Sequence, residues 1–392
     1  MISKIPISAS KISLLNIISA FPSIWGDKEA QEEFKETIGL QVYQPQVILL
    51  NSGLAALYVI LLAIKKNSSK TEVILPAYTA GSLIVAIKKA GLKPVLCDIS
   101  PQTFNLDSAL LDKLVCHKTL CIIGVHMFGV VMPEIKELKQ KFPDVYILED
   151  ACQSYGAEFE FRRVGWAGDI SFFSFNRGKN TTSFGGGAIA TGNDEVYQKL
   201  LRQIEDIKKP SVFARIKIWV KMIVLFCVLN KWVYGFLFGF ISQFKENKPP
   251  VDIQVSKFTE VQAKIGMFAL ENCNNSSGQR LNNGMKIIKA CSDIKDIILP
   301  KIEPKTKPAF NRLPIVFSNP VKREQVEKAL AAEGIETSRM YLKPLHLMFD
   351  LGYKKGDFPQ AEYLADNLLT LPTHPLMTDS DIDYIIDVIK KA

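Results

Sequence analysis

Short apolar runs alternate with amphipathic stretches along the first half of the chain. The runs are rich in Val, Ile and Leu and end at Pro, Gly or polar residues, which is typical of buried strands. The stretches between them repeat apolar residues at helical spacing, and the first such helix is expected to begin near Ser52. Strands are predicted at residues 47–50, 73–75, 94–97, 119–126 and 145–150, with further helices after Pro76 and at 132–142.

This alternation predicts an α/β fold. Strands that alternate with helices are joined by right-handed crossovers, and they build a mainly parallel sheet with helices on both faces. Ligands of such sheets bind beyond the carboxyl ends of the strands. Ser52, Tyr78 and Asp150 each follow the end of a predicted strand, so we expect them at one edge of the sheet.

The pattern changes after Leu201. Residues 212–241 are almost wholly apolar and contain no acidic residue but four cations. A helical pattern resumes at Lys257, followed by a strand at 312–318 and helices at 322–333 and 380–391. We therefore predict a large domain over residues 1–250, which includes the apolar insert 212–241, and a linking helix with a small C-terminal α+β domain over 251–392.

Composition fits a globular enzyme. The chain has 392 residues, of which 47% are apolar and 22% charged, enough for a large core in two domains. Its net charge of +8 is spread among interleaved acids, so no nucleic-acid partner is expected. The seven cysteines lack metal-ligand spacing, so we expect reduced thiols, no metal site and a cytoplasmic location. No cleavage pattern follows the apolar patch at 14–21, so no signal peptide is predicted.

One lysine, Lys179, lies where an apolar run turns into three glycines, in SFNRGKNTTSFGGG. A lysine amine bonds readily to a carbonyl carbon, and an electron-withdrawing aldehyde cofactor also needs a carboxylate at its ring nitrogen, for which Asp150 is placed. Ser52 and Gly53 open a helix whose amides favour a phosphate, and Tyr78 offers a stacking face. Taken one at a time, each of these residues also has an ordinary explanation. Lys179 could be an exposed loop lysine, Asp150 a structural aspartate, Ser52 a helix cap and Tyr78 a core residue.

Several separated segments resemble the DegT/DnrJ/StrS family of pyridoxal-phosphate-dependent sugar aminotransferases. They are VILPAYTAGSLIVAIKKAGLKPVLCDIS at 73–100, EDACQSYGA at 149–157, VGWAGDISFFSFNRGKNTTSFGGGAIAT at 164–191, and YLKPLHLM with GDFPQAEYLADNLLTLPTHPLMT at 341–378. The resemblance extends over nearly the whole chain except the apolar insert. It implies a fold-type-I enzyme with a large domain, a smaller C-terminal domain, and a homodimer with active sites at the interface.

The resemblance also implies roles for single residues. Lys179 would bind pyridoxal 5'-phosphate covalently and move the proton, and Asp150 would hold the ring nitrogen. Gln153 would lie near the phenolic oxygen, with a helix cap as its alternative, and His346 would face the substrate, with ordinary packing as its alternative. Tyr78 would stack on the ring, while the phosphate would be held by Ser52, Gly53 and Ser174.

The activity implied is transfer of an amino group from glutamate or glutamine to a keto sugar, linked to a nucleotide or a lipid, for cell-surface polysaccharide or glycoconjugate biosynthesis. The alternative is a membrane-recruited binding or regulatory protein without transaminase activity. Leu54 supports this alternative because it stands where the family usually has Thr, as does VSKF at 255–258 in place of Asn-Tyr-Arg-Met. Lys179 argues against the relatives that carry histidine there and dehydrate their substrate.

The insert has no counterpart in the family. Its apolar blocks at 222–229 and 232–241 are each too short to span a membrane, and one span through both would bury Lys231 at a cost of about 3 kcal/mol. If residues 212–231 are helical, Lys217, Lys221 and Lys231 lie on one side beside a broad apolar face. This pattern favours peripheral contact with the inner face of the membrane. The alternative is a helix buried in the dimer interface.

Overall fold

The computed structural model describes residues 5–228 and 252–392. Its strands follow the apolar runs of the sequence closely. They are β1 Gln46–Leu50, β2 Glu72–Pro76, β3 Lys93–Cys97, β4 Thr119–Val125, β5 Tyr146–Asp150, β6 Glu158–Phe159, β7 Arg162–Arg163, β8 Ile170–Ser174, β9 Gly187–Thr191, β10 Ile297–Ile298, β11 Thr306–Lys307, β12 Leu313–Phe317 and β13 Leu368–Leu371.

The helices lie between these strands and at both ends of the described chain. They are α1 Leu14–Ser19, α2 Lys28–Val42, α3 Gly53–Lys65, α4 Ser82–Lys89, α5 Leu111–Leu114, α6 Glu134–Lys141, α7 Asp194–Ile204, α8 Val212–Val228, α9 Glu260–Glu271, α10 Cys273–Cys291, α11 Pro320–Ala332, α12 Leu345–Met348, α13 Pro359–Asn367 and α14 Asp379–Lys391. Short 3₁₀ turns occur at Phe21–Trp25, Ser108–Leu110 and Met127–Gly129.

Seven strands form the central sheet in the order β1-β9-β8-β5-β4-β2-β3. Strands β3, β2, β4, β5 and β8 pair in parallel, whereas β9 is antiparallel to both of its neighbours. The carboxyl ends of β1, β2, β4, β5 and β8 therefore meet at one edge. This arrangement confirms the predicted α/β fold with a mainly parallel sheet.

Both faces of the sheet are covered, which explains why its strands are continuously apolar. Leu75, Ile123 and Phe172 point into a core shared with α3, α4 and α7. On the other face, α6 packs on the strands in the middle of the sheet, and α2 and α9 pack on β1, β8 and β9. Helix α9 begins at Glu260, later than the predicted Lys257, because Thr259 forms a capping box with Gln262.

A second, smaller core lies in the C-terminal part of the chain. The antiparallel sheet β10-β12-β13 packs with α10, α11 and α14 around Ile315, Leu330 and Ile385. Chain segments from the N-terminus contribute to this core as well, since Ile5 pairs with Ile335. The predicted boundary between residues 250 and 251 lies outside the described residues, so it stays a prediction.

The described part of the insert is the helix α8. Its Trp219 indole donates to the carbonyl of Ile17 at 2.8 Å, and its Arg215 pairs with the buried Glu260 at 3.3 Å. The face of α8 around Met222 is thereby packed on α1, the turn Phe21–Trp25 and α9. No helix within the described ranges is long and apolar enough to cross a membrane. Residues 229–241, with Lys231, lie outside those ranges.

Candidate active site

The predicted site residues of the large domain collect at the carboxyl edge of the sheet. Ser52 follows β1, Tyr78 follows β2, Asp150 ends β5 and Ser174 ends β8. Because these strands run in the same direction, their ends face one side of the sheet. The sequence therefore predicted correctly which strand ends come together.

Asp150 is a buried carboxylate near the middle of this edge. It pairs with Val125 of β4 and Phe172 of β8, and its Oδ1 accepts the amide of Cys152 at 2.9 Å. Burial raises the pKa of Asp150, while the hydrogen bond from Cys152 and the positive charge of Lys179 oppose that rise. A carboxylate in such surroundings is stabilised in its charged form by a neighbouring cation.

Lys179 lies on a turn after β8, where its amide donates to the carbonyl of Asn176 at 3.2 Å. The side chain is half-buried. Its charge lowers the pKa of both Asp150 and Cys152, although burial raises both overall. The charge of Lys179 therefore acts on the carboxylate at the end of β5, while its covalent bond to the cofactor stays a prediction.

The start of α3 lies beside these groups. The Ser52 hydroxyl caps the helix by accepting the amide of Ala55 at 3.0 Å. A Cβ on Gly53 would lie 3.0 Å from Cβ of Ser174 and 3.1 Å from Sγ of Cys152, so only glycine lets the backbone approach so closely. The structure thus brings Ser52, Gly53 and Ser174 together at a helix N-terminus, where amides and the helix dipole favour an anion.

Gln153 lies one turn beyond Asp150 and is buried. Its Oε1 accepts the amide of Phe128 at 3.3 Å, and its Nε2 donates to the hydroxyl of Tyr341 at 3.4 Å. Both hydrogen bonds are long for their type. The side-chain amide of Gln153 is therefore held in place at the edge of the site, and it can still form further hydrogen bonds.

Tyr78 is fully buried, and its hydroxyl anchors a segment of the small domain. The hydroxyl accepts the amide of Tyr341 at 3.2 Å and lies within hydrogen-bond distance of the carbonyls of Arg339 and Tyr341. The two tyrosine rings meet edge to face with centroids 5.5 Å apart. Stacking of Tyr78 on a cofactor ring stays a prediction. The contacts described here give it a positioning role toward Tyr341.

His346 lies apart from this cluster in its described contacts. Its Nε2 is 2.9 Å from the carboxylate of Glu362, and its ring packs against Phe358 at 4.9 Å. Its Nδ1 is buried without a partner among the described residues. These contacts fit the alternative that His346 is an ordinary packing residue. Its contact with the substrate stays a prediction.

Comparison with known proteins identifies the chain. The model of the DegT/DnrJ/EryC1/StrS aminotransferase family matches residues 21–390. The chain belongs to this family. GDP-perosamine synthase of Caulobacter vibrioides is 27% identical to it over 370 residues, which cover 93% of this chain and 89% of that relative.

A further relative and a solved structure are also similar to the chain. The dTDP-3-amino-3,4,6-trideoxy-α-D-glucose transaminase of Streptomyces venezuelae is 26% identical over 348 residues, covering 87% of this chain and 81% of its own. The crystal structure of DesV from the same organism superposes with a TM-score of 0.79 at 22% identity, covering 99% and 98% of the two chains. This superposition confirms the fold-type-I architecture.

Pyridoxal 5'-phosphate is the cofactor of a DegT/DnrJ/EryC1/StrS aminotransferase such as this one. The site fits that group on its own chemistry. Asp150 is a buried carboxylate that a protonated ring nitrogen would neutralise, and the amides at the start of α3, beside Ser174, favour a phosphate. Lys179 interacts electrostatically with Asp150.

The region of VSKF, where the family commonly has another motif, is part of the same edge. Lys257 pairs with Leu50 at the end of β1, and the carbonyl of Ser256 accepts the amide of Asn51 at 3.0 Å. Leu54 lies in the first turn of α3 and has no hydroxyl. A phosphate here would therefore be held by the helix start, Ser52 and Ser174.

Sequence reasoning missed two supporting groups, Glu149 and Tyr341. The carboxylate of Glu149 accepts four hydrogen bonds, one of them from Nε2 of His126 at 2.9 Å. The Nδ1 of His126 accepts the amide of Met132 at 3.0 Å, which fixes the proton on Nε2. An acid next to Asp150 at the end of an apolar strand was the available signal for Glu149. Tyr341 is the first residue of the segment YLKPLHLM, but no local sequence pattern connects it with Gln153.

Proposed function

We propose that this sugar aminotransferase moves an amino group from glutamate or glutamine to a keto sugar carried on a nucleotide. The observation that carries the proposal is the buried Asp150 at the end of β5, which interacts electrostatically with Lys179 and shares its sheet edge with the start of α3. An amine, a carboxylate and an anion-binding helix start are the three groups that pyridoxal phosphate needs. When bound, this cofactor supplies the carbonyl carbon and the electron-withdrawing ring.

Each residue then has a task that follows from its surroundings. Asp150 keeps the ring nitrogen protonated, because its burial strengthens a charge-assisted hydrogen bond. Gln153 orients the phenolic oxygen through its free hydrogen-bonding capacity. Lys179 would accept the proton from the carbon that carries the donor amine, which requires a neutral lysine amine. In the second half of the reaction it would donate a proton to the sugar carbon that receives the amine. Ser52 and Ser174 hold the phosphate.

The nature of the acceptor is supported by the relatives. Two of them are by name a GDP-perosamine synthase and a dTDP-aminosugar transaminase, which favours a nucleotide-linked keto sugar here as well. Such amino sugars would serve cell-surface polysaccharide or glycoconjugate biosynthesis. A lipid-linked sugar is the competing acceptor, and a panel of both carriers would distinguish them by amine transfer.

Absorption spectroscopy tests the core of the proposal. Protein loaded with pyridoxal phosphate should show the visible band of the bound cofactor and lose it on addition of glutamate or glutamine. Lys179→Ala should not form the band, whereas Lys199→Ala, which removes a surface ion pair with Glu195, should behave as wild type. A normal band and normal discharge in Lys179→Ala would contradict the proposal. A stable band that no amino acid discharges would instead favour the regulatory alternative.

We further propose that the protein is a homodimer that also contacts the membrane surface peripherally. Helix α8, α1 and the turn Phe21–Trp25 together expose apolar side chains, among them Leu15 (77% exposed), Trp25 (63%) and Phe213 (78%). Phe21 joins these parts through ring contacts to Trp219 at 4.8 Å and to Trp25 at 5.1 Å.

Lysines beside this surface favour an anionic bilayer as its occupant. Lys217 and Lys221 are exposed on α8, and Lys11 is exposed before α1. Flotation with anionic vesicles should recover the wild-type protein, and neutral vesicles should recover less. A double variant, Phe213→Ser with Trp25→Ser, should stay in solution. Equal recovery of both proteins would contradict the membrane contact. A dimeric mass for wild type and a monomeric mass for the double variant would instead assign the surface to the second copy of the homodimer.

A further inference from the structure

A cavity lies between the insert helix α8 and the segment that leads into α9. Its volume is about 190 Å³, far more than the about 15 Å³ that one water molecule needs. Part of its wall belongs to α8 and part to that segment. The main lining residues are Ile218, Lys221, Met222, Ser256, Lys257 and Gln262. None of the described lining residues is among those proposed to hold the cofactor.

The wall of this cavity is positively charged. Lys221 comes from α8 and Lys257 from the segment before α9, and none of the described lining residues is acidic. The ammonium group of neither lysine forms a hydrogen bond or an ion pair with another described residue. Arg215 on the same helix is, by contrast, paired with the buried Glu260 at 3.3 Å. Two cations beside one cavity favour an anion between them.

Gln262 adds a hydrogen-bond donor with a fixed orientation. The residue is only 5% exposed. Its Oε1 accepts the hydroxyl of Thr259 at 2.9 Å in the capping box of α9, which leaves Nε2 for the cavity. That Nε2 would lie 2.9 Å from a Cβ on Gly185, another lining residue, and it has no hydrogen-bond partner among the described residues. A buried N–H without an acceptor costs free energy that a bound acceptor would recover.

The exposed apolar row of α8 borders the same cavity. Phe213, Val220 and Val224 are exposed, and the helical repeat places them on one side of α8. Lys221 follows Val220, and Met222 lies about 100° further around the helix, on the cavity side. Lys221 therefore lies between the apolar row and the cavity.

We propose that this cavity binds a phosphate group, and that a phospholipid headgroup supplies it. Lysines bind phosphate as point charges, whereas a carboxylate is matched best by the planar guanidinium of arginine, which is absent from the described lining residues. The acyl chains of such a lipid would continue from the phosphate along the exposed apolar row. The phosphate site itself is independent of the transaminase proposal, and only its lipid source rests on the proposed membrane contact.

Calorimetric titration of the cofactor-loaded protein with inorganic phosphate tests the cavity itself, because the phosphate of the cofactor then occupies the start of α3. Lys221→Met should weaken phosphate binding about tenfold, the lower end of the range expected for losing a charged hydrogen bond. Gln262→Glu keeps an oxygen for the Thr259 hydroxyl and places a negative charge at the cavity, so it should weaken binding at least as much. The visible band of the bound cofactor should stay unchanged in both variants.

Lys217→Met is the matched control. It removes the same charge one turn earlier on α8, but Lys217 does not line the cavity, so phosphate should bind as it does to wild type. Phosphate binding to Lys221→Met within twofold of wild type would overturn the inference. An equal loss in Lys217→Met, or no phosphate binding to wild type in the millimolar range, would overturn it as well. If Gln262→Glu does not fold, Lys257→Met replaces it, with the same loss expected.

Flotation with vesicles of phosphatidylglycerol in phosphatidylcholine distinguishes the two sources of phosphate. Attraction to the charge of the bilayer alone would affect Lys217→Met and Lys221→Met alike, since both lysines are exposed on α8. A headgroup in the cavity predicts a larger loss of recovery for Lys221→Met. Equal losses, together with Lys221-dependent binding of inorganic phosphate, would keep the phosphate site, overturn its lipid source and assign the cavity to a soluble phosphate.

Discussion

The buried carboxylate of Glu149 allows a direct test of what holds the site edge together. Its Oε1 accepts from His126 at 2.9 Å and from the amide of Gly165 at 2.6 Å, and its Oε2 accepts from the amides of Ala167 at 2.9 Å and Gly168 at 3.1 Å. In Glu149→Gln one side-chain oxygen remains and can still accept two of these hydrogen bonds. The other oxygen is replaced by an amino group, which cannot accept, so two hydrogen bonds are lost. Since each lost bond to a charged acceptor costs about 1.5–3 kcal/mol, the free energy of unfolding should fall by about 3–6 kcal/mol.

Urea denaturation, followed by circular dichroism and by tryptophan fluorescence, measures this loss. Glu158→Gln is the matched control, because that carboxylate pairs with Lys307 at the surface, at 2.7 Å. Removing such a surface pair should cost less than about 1 kcal/mol. If Glu149→Gln destabilised the protein no more than the control, the four hydrogen bonds would not have the energetic role assigned to them.

The same variant has a defined pH dependence. Burial raises the pKa of Glu149, but the hydrogen bonds from His126, Gly165 and Gly168 outweigh it, and the pKa lies below its usual value. The folded state therefore binds this proton less tightly than the unfolded state does. The stability that the carboxylate contributes is complete above the unfolded pKa of about 4.3 and is lost as the pH falls through the folded pKa. The difference between wild type and Glu149→Gln should be constant at neutral pH and shrink in acid. A difference that persists unchanged in acid would contradict this account.

Two further substitutions test parts that position the site. Tyr78→Phe removes the hydroxyl bonded to the amide of Tyr341, so stability should fall by about 1 kcal/mol and hydrogen exchange at that amide should accelerate, as mass spectrometry would show. Gly187→Ala would place a Cβ 2.5 Å from the carbonyl carbon of Ser52, so the cofactor should bind about tenfold more weakly or worse in an absorbance titration. Gly278→Ala, with open space around its Cβ, is the control and should bind the cofactor normally.

Most of the large domain could be predicted from local pattern, because its strands are buried on both faces. Observed strands such as β1 and β5 begin within one residue of their predicted starts and end where predicted. Helix starts were less certain where polar residues precede the apolar pattern. Pro133 delays α6 to Glu134, and the capping residue Thr259 delays α9 to Glu260. Among the described strands, β6, β7 and β11 pair with one another in a separate sheet, and they are too short to carry a periodic signal.

The insert shows where periodicity alone is insufficient. The sequence indicated that, if the segment is helical, Lys217 and Lys221 lie on one side beside a broad apolar face, and the structure has a helix here with both lysines exposed. The sequence did not show that this apolar face of α8 has a covered part and an exposed part. One part, around Trp219, is already covered by the N-terminal segment of the same chain. Among the described residues of α8, the remaining row, which includes Phe213, is exposed. Which part is covered depends on a contact across about two hundred residues of sequence, as the 202-residue separation of Trp219 and Ile17 shows.

The same limit applies to the site. Lys179, Asp150 and Ser52 could be proposed because each follows a strand of one parallel sheet, and the topology of that sheet brings their strand ends together. Tyr341 belongs to the small domain, and the hydrogen bond from Gln153 to Tyr341 joins residues 188 positions apart. No local pattern encodes the docking of the small domain on the sheet edge. The residues proposed to hold the cofactor could therefore be found from the sequence, whereas the contact of Gln153 with Tyr341 depends on the packing of one domain on the other.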